Sequence, residues 1–498
     1  MTIPVLLAAA LTLQQPDLRD TESVGRFLTA LRNADPAVCE LAGRSLTNFG
    51  GWWNGDLPVP MPTPTPTPTP MPRAGGGVDI HTPSPNSWRS QLDPQVLQAF
   101  RGALKDSSRC VRHIAARMVS QARPAWAAGE FGALAKDANP GFRETGFLGL
   151  GELEDPQTID VMTTGLRDRD PAVRSMAAWA LGELEHPDAI PALGRALNDD
   201  SPAVRRRVAW ALGQIESDAA LGPLERALRD QSVEVRQMAI WAIGEIESPK
   251  GVPILRGAVG DADAATRQRA AWALGEIEDP SAVDVLAPLT KDRDEHVRQM
   301  SAWALGAIES DSAIALLAPL VRDPVLDVRL TALWALGEIE ARDGVDVIAP
   351  ALKDGNTAVR RMAAWALGEI ESGSAIALLA PLIRDSALDV RLTALWALGE
   401  IEAPDGVEVV APALKDRDPV VRRMAAWALG EIEASTAVAS LTPLLRDPED
   451  EVRAIAAWAL GEIESATALP ALQAVRDDRS PEVRRAVRWA IGNIDDRR

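Results

Sequence analysis

The sequence predicts an all-α fold, an α-solenoid superhelix of about fourteen helical hairpins, each 31 residues long. Three observations predict it. Trp179, Trp210, Trp241, Trp272, Trp303, Trp334, Trp365, Trp396, Trp427, Trp458 and Trp489 follow one another at intervals of 31 residues without a slip. Each stands in an apolar stretch of helical period, and several of these stretches open with an N-cap and a proline, as in DPAVRSMAAWALGEL from Asp170. Before the next such opening comes a shorter stretch, DAIPALGRAL from Asp188, with Ile190, Leu193 and Leu197 on one face. A hairpin of this size cannot bury its apolar face alone, so neighbouring hairpins must stack into one array.

Residues 1–16 contain an apolar run over 3–13 of signal-peptide length, with no Lys or Arg before it. Export to a periplasmic compartment is favoured over the cytoplasm, with a plain N-terminal helix as the alternative. Residues 17–49 read as a divergent first repeat, with Arg44 in the slot that tryptophan takes later. Arg117 and Leu148 occupy the same slot in two further weak copies. Residues 50–92 form an insertion or linker. Alternating Pro and Thr favour polyproline II there, and Gly75, Gly76 and Gly77 a flexible joint. Residues 93–498 read as a continuous array, in which residues 312–371 recur with about ten changes as 374–433. Arg488, where most repeats have Ala, marks the last repeat as polar on a side that others bury.

The formal charge of −19 disfavours nucleic acid and acidic membrane surfaces as partners. No apolar run reaches the length of roughly 18 residues needed to span a bilayer. Cys39 and Cys110 are too few for a disulfide framework and lack metal-ligand spacing. Two buried thiols are expected, with pairing as the alternative for an exported chain. His81, His113, His186 and His296 are scattered, and neither a zinc-protease motif nor a nucleophile elbow nor a phosphate-cradling glycine loop occurs. No catalytic, metal or cofactor site is assigned.

Trp179 lies two residues from Ala177 and from Leu181, about 200° around the helix axis from both. It therefore leaves the apolar face and shares a stripe with Ser175 and Glu183. Stacked, this stripe carries a tryptophan column and an acidic column of Glu183, Glu245, Glu276, Glu338, Glu369, Glu400, Glu431 and Glu462, interrupted by Gln214 and Ala307. A third, changing column includes Arg206, Gln237, Leu330, Arg361, Leu392 and Arg423. Two compatible readings apply to the indoles. They cover the seam between adjacent second helices, or they serve as anchors for a partner. A further column, Glu185, Glu216, Glu247 and their successors to Glu464, follows the last helical turn and reads as solvated helix ends. Asp168 with Arg174, Asp199 with Arg205, Asp323 with Arg329, and Asp385 with Arg391 recur in the turn and early second helix. They read as a charge-assisted structural ladder between neighbouring turns.

The string DP-x-VR-x-x-AAWALGEI followed by a short helix resembles the HEAT-like repeat first described in phycobilisome lyases. The resemblance covers nearly all of the chain after Asp93. It implies that the second helix of each pair lines a concave wall, so that the Trp/Glu stripe faces a groove. It also implies that the Asp/Arg pairs are the structural ladder of such repeats. Deoxyhypusine hydroxylase, an enzyme of similar architecture, uses His-Glu pairs for iron, and this sequence has no His-Glu dipeptide. The expected function is a non-catalytic scaffold that holds a protein or extended, basic peptide in the groove. The alternatives are a structural or self-associating module and a lyase-like chromophore-handling helper.

Overall fold

The computed structural model describes Leu18, residues 20–32, Cys39 and residues 92–496. The expected leader, most of the first repeat including Arg44, and the Pro/Thr insertion lie outside the described residues. Among the described residues every regular element is an α- or 3-10 helix, and the fold is an α-solenoid. The chain divides into two compact units, one taking the described residues up to Ala273 and the other those from Leu274 onward.

In the first unit, second helices such as Pro171–Glu183, Pro202–Gln214 and Val233–Glu245 pack in sequence order, each against the next. The local causes are visible at Pro171–Glu183. The Asp170 carboxylate accepts the Ala172 N–H at 2.8 Å, and proline fills a position whose own N–H would have no partner. Val173, Ala177, Ala178, Ala180 and Leu181 are at most 1% exposed, and Leu193 of the following short helix Ile190–Ala196 is fully buried. The second unit repeats the scheme with Leu326–Glu338, Thr357–Glu369, Leu388–Glu400, Pro419–Glu431, Asp450–Glu462 and Pro481–Asp496.

Two expectations need correction. In the second unit the short helix is split into 3-10 and α pieces, as in Pro280–Ala282, Val283–Leu286 and Leu289–Lys291. Pro288, Pro319 and Pro381 stand between an α piece and the next 3-10 piece. A ring there removes an N–H and clashes with the carbonyl four residues back, so the α-helix stops before it. Cys39 and Cys110, expected as separate thiols, are disulfide-bonded across 71 residues of sequence, with Cα atoms 5.8 Å apart. Closing a loop of that length stabilises the fold by about 4 kcal/mol in the chain-entropy model. Beside it Arg32 reaches Asp106 at 2.9 Å and ties helix Thr21–Leu31 to the same region.

Successive second helices meet through a glycine. A Cβ on Gly368 would lie 2.7 Å from Cζ3 of Trp396 and 3.0 Å from the Ala397 Cα. Gly182 has the same relation to Trp210 and Ala211, at 2.7 and 3.0 Å. The edge of each indole occupies the room left by the glycine of the preceding repeat, and the next alanine lets the backbones close up. Gly368→Ala should therefore destabilise the second unit by about 1–3 kcal/mol through overpacking against backbone. Urea denaturation followed by circular dichroism measures it, and an unchanged midpoint would show that the seam yields freely.

Candidate partner-binding face

Most second helices from Pro171 onward carry an indole on the outer stripe and a carboxylate four residues on, which puts the two on one side of the helix. In the second unit Trp334 shares the stripe with Glu338, and the same spacing places Trp365 with Glu369, Trp396 with Glu400, Trp427 with Glu431 and Trp458 with Glu462. Trp241, Trp272 and Trp427 are buried, and Trp179, Trp210, Trp303, Trp334, Trp365, Trp396 and Trp458 are half-buried. Trp489 is 43% exposed, because among the described residues no later helix packs on its outer side. The indoles thus sit neither in the core between the two helix layers nor free in solvent.

The carboxylates beside them are unusual acids. Burial raises Glu338, Glu369, Glu400, Glu431 and Glu462 above the ordinary glutamate value, and neighbouring carboxylates add to the shift. Glu183 is pushed up to about 7 by burial, then by Glu152, Glu154 and Glu185. Glu245 and Glu276 are half-buried at the same position. The Glu185 column, expected to be plain solvated helix ends, has a defined conformation. From Glu154 to Glu464 each of these glutamates adopts a left-handed backbone with φ between 46 and 52°. Such a residue ends a helix, and glycine is the usual choice there. The Glu185 N–H then closes onto the Gly182 carbonyl at 3.0 Å.

The changing column is mixed. Arg361, Gln237 and Leu330 are half-buried, Leu392 is 9% exposed, and Arg423 forms an ion pair with Glu451 of the next second helix. Arg207 lies 5.5 Å from the centre of the Trp210 ring, and burial, then Arg206, brings it down to about 10.

Before the first tryptophan the same stripe is built differently. Arg117 stands in the indole slot and donates its Nε to Glu152 at 2.9 Å. Arg109 reaches Glu144 at 2.6 Å, and the buried His113 lies 3.7 Å from the same carboxylate. Burial pushes the Glu144 carboxyl up, but His113 and Arg109 outweigh it and bring it down to about 2. Burial lowers His113. Sequence reading treated His113 as isolated. The signal that connects it to Glu144 is the 31-residue offset, which places both four residues before the indole slot.

At the other end of the second helices runs the ladder. Arg174 donates to the Asp199 carboxylate at 2.6 and 2.8 Å and to the Asp168 carbonyl at 2.9 Å. Arg205 repeats this toward Asp230 and the Asp199 carbonyl, and Arg360 toward Asp385 and the Asp354 carbonyl. Arg298 reaches Asp323 at 2.7 Å. Each arginine thus takes the carboxylate of the following repeat and a carbonyl of its own turn, while the Asp168 carboxylate also accepts the Asp170 N–H. Arg329 and Arg391, the matching residues of the duplicated block, keep their carbonyl bonds but stand 3.6 and 3.9 Å from Asp354 and Asp416. Their Nε atoms are buried without a hydrogen bond. Arginine bonding holds Asp385 and Asp478 below the usual carboxylate range; at Asp168, Asp230, Asp323 and Asp447 burial opposes the same bonding and is outweighed.

Among the described residues no cluster of His, Cys, Asp and Glu could hold a metal ion, and no helix is long and apolar enough to cross a membrane. The model of HEAT repeats matches residues 130–201, 191–263, 257–329, 320–390, 378–454 and 438–498. The chain is a HEAT-repeat protein. No curated protein matches it at the sequence level. Among solved structures, importin beta in an ammonium sulfate condition is similar with a TM-score of 0.58 and 14% identity, covering 99% of this chain and 70% of that one. Kap95p, whose binding induces the switch loops of RanGDP to adopt the GTP-bound conformation, gives 0.51 at 15% identity, with 80% and 66% covered. Kap121p bound to the extreme C-terminus of the phosphatase Cdc14p gives 0.50 at 15% identity, with 91% and 55% covered. This HEAT-repeat protein shares the fold of those chains and spans about half to two thirds of the karyopherins Kap121p and Kap95p.

Glu183 supplies a pH test. Its folded value is raised above the unfolded 4.5, so the folded state holds the extra proton between about 4.5 and 7, and stability from this group is lost as pH rises through 7. Relative to Glu183→Gln, the parent chain should gain thermal stability as pH falls from about 8 to about 5. Scanning calorimetry of both across that range reads the difference. Parallel curves would mean that Glu183 titrates normally.

Proposed function

We propose that this HEAT-repeat protein is a non-catalytic scaffold that holds a protein or extended peptide against the Trp/Glu stripe of its second helices. The observation that carries this reading is the column of half-buried carboxylates in the second unit. Each stands four residues after an indole, and burial together with neighbouring carboxylates raises it above the ordinary glutamate value. Crowded, half-buried carboxylates are costly to ionise, and a positively charged partner lowers that cost. Beside it, rigid half-buried indoles offer the apolar contact area that binding hot spots use. The protein partners named for Kap95p and Kap121p support a binding role on this kind of fold. The string DP-x-VR-x-x-AAWALGEI supports placing the repeats with the phycobilisome-lyase type, and no chromophore role is carried over with it. The Cys39–Cys110 bond supports residence in an oxidising compartment.

The test is capture from native extract by the full chain and by Trp334→Ala/Trp365→Ala/Trp396→Ala, with bound proteins identified by mass spectrometry. Loss of an indole hot spot costs on the order of 2 kcal/mol or more, so captured partners should fall by tenfold or more while helicity is retained. Equal capture by both chains contradicts the reading.

A further inference from the structure

The carboxylate position has an internal precedent for what it binds. Glu152 stands four residues after Leu148, just as Glu369 stands four after Trp365, and it accepts the Arg117 Nε at 2.9 Å with both side chains only 10% exposed. Arg117 belongs to the preceding repeat and occupies its indole slot. The carboxylate column therefore accommodates a guanidinium lying along it. In the second unit the slot is filled by indoles, and Glu338, Glu369, Glu400, Glu431 and Glu462 feel Glu309, Glu340, Glu371, Glu402, Glu433 and one another. There no arginine stands in the slot that Arg117 uses. Arg361 and Arg423 flank the indoles on the opposite edge, and Arg423 is already bound to Glu451, so an incoming cation is directed to the glutamate edge.

Spacing then selects the shape of the ligand. Packed helices lie about 8–10 Å apart. An extended chain rises about 3.3 Å per residue and polyproline II about 3.1 Å, so three residues cover one repeat. Polyproline II also returns every third side chain to the same face. We propose that the second unit takes a polyproline II-like polypeptide with an arginine at every third position, each guanidinium meeting the carboxylate of one repeat beside its indole. This rests on the reading of the stripe as a binding face. Arginine is preferred to lysine because its planar group can stack on an indole while bonding the carboxylate.

The probe is a fluorescein-labelled peptide of about fifteen residues, five repeats of Arg-Pro-Ser, titrated with the full chain and read by anisotropy. A second peptide has the same composition with the five arginines contiguous. The periodic peptide should bind at least about tenfold more tightly, and Glu369→Gln/Glu400→Gln should remove about tenfold of its affinity. The double variant relieves repulsion between carboxylates, so it keeps its fold, and the comparison of the two peptides depends on no variant. Equal affinity for both peptides overturns the register. Binding of the periodic peptide that is unchanged in the double variant overturns the site. If neither peptide binds while the chain still captures a protein through Trp334, Trp365 and Trp396, this inference falls and the scaffold reading stands.

Discussion

The structure depends on one contact, the edge of an indole resting where a glycine of the preceding repeat has no side chain. Gly151, Gly182, Gly213 and Gly244 meet Trp179, Trp210, Trp241 and Trp272 in the first unit, and Gly306, Gly337, Gly368, Gly399 and Gly430 meet Trp334, Trp365, Trp396, Trp427 and Trp458 in the second. A larger residue would strike the next backbone as well as the ring. The contact sets how closely second helices approach, and it holds each of these indoles on edge in the seam. Packing and the chemistry of the outer stripe are therefore one arrangement. The two readings of the tryptophans offered by the sequence are compatible for this reason. The seam role fixes the ring, and a fixed ring loses little entropy on meeting a partner.

The two ends of the second helices differ in charge. At the N-terminal end aspartate, arginine and carbonyl groups satisfy one another from repeat to repeat, as at Asp168, Arg174 and Asp199. At the C-terminal end the helix dipole is negative and glutamates crowd, and neighbouring carboxylates raise Glu369 and Glu400 further. The first end gains from being complete, since charge-assisted bidentate bonds give geometry as well as energy. Glu152 with Arg117 shows the completed form within the same chain.

Much of this was legible in the sequence and the reasons are specific. The tryptophan period, the Asp170 cap with Pro171, and the helical spacing of Val173, Ala177 and Leu181 are local signals, and they specify the hairpin directly. The 200° offset of Trp179 was enough to remove it from the core. Four features were hidden. The left-handed glutamates carry a residue type that does not announce that conformation. The split short helices needed weight given to the prolines at 288, 319 and 381. The Cys39–Cys110 bond joins residues 71 apart in the chain, beyond any local pattern. The His113–Glu144–Arg109 cluster lies in repeats without tryptophan, where only strict counting by 31 reveals that the stripe continues with other residues.

The central claim is that the seam leaves a half-buried carboxylate of raised pKa beside Trp334, Trp365, Trp396, Trp427 and Trp458. Carbon-13 NMR titration of the Glu369 carboxyl, assigned by comparison with Glu369→Gln, measures this directly. The account predicts a midpoint above the ordinary 4.5, because burial and then Glu338 and Glu400 disfavour the ionised form. A midpoint at or below 4.5 in the parent chain would contradict it.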